Sequence, residues 1–107
     1  MPNDRLGVLQ DVHWSSGLVG YFPTYAFGNL YSAQLYKTML KDIPNLDKEI
    51  AKDDFHAALD WLRKKIHVHG RSYTSDGLIK EVTGEPLTSK HFEDYLTEKY
   101  TKLYKIK

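Results

Sequence analysis

A chain of 107 residues has room for one domain at most, and its 41% hydrophobic and 27% charged content excludes a disordered polymer. Fifteen basic against fourteen acidic residues leave a net charge of +1, without the basic surplus that draws nucleic acid. The absence of cysteine excludes disulfides, thiolate metal sites and a cysteine nucleophile, and it fits a reducing compartment.

No apolar run approaches the roughly 20 residues that cross a bilayer. The opening MPNDRLG lacks the apolar core of a signal peptide. The expectation is a cytoplasmic chain that engages neither membrane nor nucleic acid.

Residues 1–22 read as irregular or only briefly helical, because Gly7, Gly17 and Gly20 interrupt any sustained pattern. Pro23 suits a first helical residue, since its missing N–H is not needed there. From it a helix is expected to about Asp42, with Phe27, Leu30, Tyr31, Gln34, Leu35, Thr38 and Met39 recurring at three- and four-residue steps. Gly28 within it costs ~1 kcal/mol against alanine, which suggests a close contact at that point. Pro44 ends the segment.

A short second helix lies in PNLDKEIAKDD. Asp53 or Asp54 should then cap a third, over 54–68, with Phe55, Ala58, Leu59, Leu62 and Ile66 as its apolar stripe and Gly70 as its stop. Arg63, Lys64 and Lys65 fall near its negative end. Ser75 to Val82 forms a fourth helix closed by Gly84. Ser89 should cap a last one, over 89–104, carrying Phe92, Tyr95, Leu96, Tyr100 and Leu103 on one face. No run alternates like a strand, so the fold class is all-α with about five helices. The aromatic faces are generous for so small a chain, and they imply a covering partner.

Chemistry is sparse. No H-E-x-x-H string, nucleophile elbow or phosphate-binding loop occurs. His67 and His69 stand two apart, on different faces of any helix; His13, His56 and His91 are isolated. The residues by themselves assemble no complete catalytic site. GVLQDVHWSSGLVGYFPTY, residues 7–25, is the exception in texture. Asp11 and His13 share a face if extended, so the carboxylate can orient the imidazole, or a buried His–Asp–Trp cluster can simply fix the loop. Tyr21 and Tyr25 flank a helix start, where a phenol can donate to a developing oxyanion or serve only as packing.

The same stretch resembles the carboxypeptidase Taq family. Gly7, Gln10, Asp11, His13 and Trp14 match its G-x-x-Q-D-x-H-W motif, and GYFPTYAFGNLYSAQ, from Gly20 to Gln34, is similar to the segment that follows. IHVHGRSY and TGEPLTSKHFEDYLTEKY look like the family's C-terminal end. The resemblance implies the C-terminal helical part of a larger zincin-like metallocarboxypeptidase, one that removes single C-terminal residues from peptides in a deep groove.

Zinc or cobalt serves the full-length family through an HExxH helix that this chain lacks, so the resemblance implies no metal ligand here and no activity by the chain alone. It makes Tyr21 and Tyr25 candidates for hydrogen bonds to the substrate or its tetrahedral intermediate. It makes Gln10, Asp11, His13 and Arg71 candidates for substrate binding or support. The implied partners are a peptide C-terminus and either the missing N-terminal part or a second copy, the family being generally dimeric. The alternative expectation is a helical interaction or dimerisation module with no catalytic role.

Overall fold

The computed structural model describes residues 3–106, and among these there is helix and turn but no strand. Two 3-10 turns, Asp4–Leu6 and Val8–Gln10, precede a four-residue helix α1 (Val12–Ser15). The expected five helices follow: α2 (Pro23–Asp42), α3 (Leu46–Ile50), α4 (His56–Lys65), α5 (Ser75–Thr83) and α6 (Lys90–Tyr104). Proline starts α2 at its first position, as its fixed φ favours. Gly84 closes α5 with φ +82°, a left-handed geometry that glycine adopts without a Cβ penalty. No helix is long and apolar enough to cross a membrane among the described residues.

Several local expectations need correction. Helix α4 stops at Lys65 rather than 68, and Gly70 (φ +54°) instead ends a separate 3-10 turn, His67–His69. Phe55, not an aspartate, occupies the cap position of α4, although the Asp54 carboxylate still accepts the His56 N–H at 3.1 Å. Ser89 precedes α6 in helical geometry and accepts nothing through its side chain; the Thr88 hydroxyl takes the Lys90 N–H at 3.3 Å. Gly28 marks no close approach, for a Cβ there would meet nothing within 4 Å. In α4 the buried residue is Trp61, while Phe55 and Leu59 of the expected stripe are exposed.

The core is small. Met39, Leu46 and Trp61 are buried together, with Leu35, Ile43, Ala58, Leu62 and Val82 among the side chains packed on them. The Trp61 indole N–H donates to Asp42 Oδ2 at 2.7 Å, tying α4 to the end of α2. Tyr36 on α2 donates to Asp47 on α3, and that bond is the main reason its phenol is pushed up to about 12. Helix α2 is the hub, packing on α3, α5 and α6.

Gln34, 1% exposed, is the one fully polar side chain among the buried residues. Its Nε2 faces the Thr83 hydroxyl (3.0 Å) and the Glu85 and Pro86 carbonyls (3.3 and 3.1 Å), and its Oε1 accepts the Thr88 N–H at 3.0 Å. Together with the Thr83 hydroxyl, which reaches the Glu85 carbonyl at 3.1 Å, this amide satisfies the backbone of the α5–α6 connection, which would otherwise bury unpaired groups.

The shape is open. The radius of gyration, 17.8 Å, compares with about 13 Å for a compact chain of this length. The accessible surface is 8618 Å², against about 6,100 Å² for a monomer of this mass. On α6, Phe92 and Leu96 are half-buried, but Tyr95, Tyr100 and Leu103 face outward. The excess surface is the structural counterpart of the aromatic surplus in the sequence.

Candidate functional site

The chemistry collects at the start of the chain. Asp11 caps α1, and its Oδ1 accepts the His13 backbone N–H at 2.7 Å. The same oxygen lies 2.7 Å from His13 Nδ1. Gly17 (φ +70°) and Gly20 (φ +79°) then turn the chain back, which returns the first turn of α2 to the imidazole. There the Tyr25 hydroxyl meets His13 Nε2 at 2.9 Å. Both ring nitrogens are engaged, one by a carboxylate and one by a phenol.

Aromatic packing holds the ring in place. Tyr21 stacks on His13 (centroids 5.5 Å, 26° between planes), Phe22 tilts against it at 5.0 Å, and Tyr25 meets it edge-on at 5.6 Å. The His13 side chain is accordingly only 17% exposed, whereas Tyr25 is 53% exposed and opens to solvent. A rigid, partly dry imidazole thus supports a reachable hydroxyl.

The pattern Asp-x-His occurs twice, and the second copy separates local geometry from site chemistry. Asp54 also accepts both the backbone N–H and Nδ1 of His56, at 3.1 and 2.8 Å. Yet the His56 side chain is 95% exposed, and no group among the described residues pairs with its Nε2. The pairing is therefore ordinary chemistry of a helix start. What is particular to His13 is the phenol and the aromatic cage.

Of the expected site residues, Asp11, His13, Tyr21 and Tyr25 are brought together. Trp14 packs on Phe22 at 5.7 Å and lies outside the hydrogen-bonded group, so the cluster is His–Asp–Tyr rather than His–Asp–Trp. Gln10 turns its amide to the Arg5 carbonyl at 2.7 Å, fixing the preceding turn. Arg71 follows Gly70 on an exposed turn and forms no hydrogen bond to the cluster. The sequence did not reveal the Tyr25–His13 pairing; the signal was the two glycines that reverse the chain.

A groove of about 290 Å³ between α2, α3 and α6 shares no residue with this cluster. Among the described residues no group of three or more His, Cys, Asp or Glu is placed to hold a metal. The donor set of the described residues therefore does not fit a metal centre.

The His13 backbone N–H, then its ring, hold the Asp11 carboxyl below its ordinary 3.8. A carboxylate lowered on folding stabilises the fold above its unfolded value and loses that contribution as pH falls through the folded one. The near-ultraviolet circular dichroism of the aromatic cluster should therefore persist on acidification to below the usual carboxylate range and then collapse. In Asp11→Ala the signal should already be weak at neutral pH; an unchanged acid profile in that variant would refute the assignment.

Comparison with known proteins places the chain in a family. Residues 1–100 match the model of the carboxypeptidase Taq (M32) metallopeptidase family. The chain belongs to the M32 family. It is 46% identical to carboxypeptidase 1 of Bacillus subtilis over 94% of this chain and 20% of that protein. Thermostable carboxypeptidase 1 of Pyrococcus furiosus is also 46% identical, over 88% of this chain and 19% of its own length. The fold superposes on the M32 carboxypeptidase from Deinococcus radiodurans with a TM-score of 0.86 at 40% identity, covering 99% of this chain and 22% of that one. The chain thus spans about a fifth of the length of the M32 proteins it matches.

Proposed function

We propose that this chain furnishes a peptide-facing wall of a metal-dependent carboxypeptidase, corresponding to the C-terminal part of the M32 enzymes. The Asp11–His13–Tyr25 chain carries the proposal: a caged imidazole holding a phenol that is half open to solvent supports a hydrogen-bonding role toward a peptide. Tyr25, with Tyr21 beside it, hydrogen-bonds the peptide near its reacting bond, and His13 keeps the phenol from swinging away. The metal ligands belong to another part of such an enzyme, so the chain alone hydrolyses nothing.

The excess of exposed surface supports the same reading, since the outward faces of α2 and α6 would pack against the rest of the enzyme. A second copy of the chain is the competing occupant, because two-fold pairing hides such faces equally well.

A chimera tests the proposal: this chain replaces the matching fifth of the Bacillus subtilis relative. The chimera should release the C-terminal residue of a blocked dipeptide, and Tyr25→Phe should lower kcat about a hundredfold with the fold intact. A folded, metal-loaded chimera without activity would overturn the proposal, as would metal-dependent release by the chain alone. Static light scattering of the isolated chain decides between occupants, a dimer mass favouring the second copy.

A further inference from the structure

An imidazole held at both nitrogens fixes the polarity of whatever it touches. Asp11 Oδ1 carries no proton, so at 2.7 Å it must accept from His13 Nδ1–H. In the neutral ring the proton is then absent from Nε2, the reverse of the tautomer that free histidine prefers. Nε2 can only accept, and Tyr25, 2.9 Å away, must spend its hydroxyl hydrogen on the ring. The phenol oxygen then turns lone pairs outward. When the ring gains a second proton, Nε2–H donates to the Tyr25 oxygen and the hydroxyl hydrogen is released outward.

We propose that Asp11 acts through His13 as the positioning residue that decides whether Tyr25 offers an incoming peptide a hydrogen-bond acceptor or a donor. The inference rests on the carboxypeptidase reading only for the identity of the ligand. With neutral His13 the site suits a peptide N–H. With the imidazolium, which Asp11 neutralises, it suits a carbonyl oxygen gathering charge. The titratable groups facing the ring are Asp11 from the start of α1, Tyr25 from α2 and Tyr21 from the loop before it; Phe22 completes the cage without charge. The shared Oδ1 also explains why one carboxylate suffices, since it caps α1 and sets the tautomer at once.

The test is nitrogen-15 NMR of the imidazoles in this chain, with His56 as internal control because it has an aspartate on Nδ1 and no phenol on Nε2. At alkaline pH, His13 should show a pyrrole-like Nδ1 and a pyridine-like Nε2. Asp11→Ala should move it toward the opposite tautomer, and Asp11→Glu should restore it. Tyr25→Phe, which keeps the ring packing, should shift Nε2 and leave Nδ1 in place. A proton found on Nε2 of neutral His13 in the parent chain would overturn the proposal, as would an unchanged tautomer in Asp11→Ala.

The NMR result does not depend on catalysis. An inactive chimera with the expected tautomer sinks only the carboxypeptidase reading, and an active chimera with the wrong tautomer sinks only the role of Asp11.

Discussion

Replacing Gln34 by leucine is expected to lower the unfolding free energy by about 3 kcal/mol, although leucine is apolar, similar in size and a good helix former. The loss comes from the partners rather than from the glutamine. Without its amide, the Thr88 N–H and the Pro86 carbonyl face a buried apolar group, while the Glu85 carbonyl keeps the Thr83 hydroxyl at 3.1 Å. Each unsatisfied group costs about 1–3 kcal/mol, and some of that is recovered as the connection shifts toward water. Urea unfolding followed by far-ultraviolet circular dichroism measures it. A loss below about 1 kcal/mol would mean that water already reaches the α5–α6 connection and that the latch is not structural.

Trp61→Ala should be costlier still, about 4 kcal/mol, because so few side chains are buried that neighbours cannot refill the space. Trp61, Met39 and Leu46 make up the buried cluster, and removing the indole leaves Met39 and Leu46 facing a void. Trp61→Phe separates packing from hydrogen bonding: it keeps most of the ring and loses the N–H that Asp42 accepts, so about 1 kcal/mol should go with it. Equal losses in the two variants would show that the hydrogen bond, not the packing, dominates. A small domain has only about 5–15 kcal/mol in hand, so Trp61→Ala should be largely unfolded at moderate temperature.

These two residues also show where sequence reasoning reached and where it stopped. Pro23, Gly84 and the three- and four-residue steps between them are local signals, and the helices they announce are present with ends within a few residues. Gln34 stood in the apolar stripe of α2 by spacing alone, but its partners lie 49–54 residues away, and no local pattern encodes them. The stripe expected on α4 holds at Ala58, Leu62 and Ile66, which pack on the core, but Trp61, three residues after Ala58, is the buried member of that side while Phe55 and Leu59 are exposed.

At the site, Asp11 and His13 were legible as a pair because their contact is two residues long. The Tyr25 contact spans a reversal whose direction is set by two left-handed glycines, and spacing cannot give a direction. The outward aromatic faces were legible as a surplus, and the open shape measures that surplus as area.

Helix α2 spans 20 residues, about 30 Å, and the two ends of that rod do different work. Tyr25 lies in its first turn, while the latch at Gln34 and the packing at Met39 come nine and fourteen residues later. The site is thus mounted on the free end of a cantilever clamped at its far half. Its first turn has no side-chain cap and no buried residue to hold it, so it can fray while the clamp stays shut. The pairing of His13 with Tyr25 can be lost in a molecule that still melts cooperatively, and a thermal transition alone is no measure of an intact cluster.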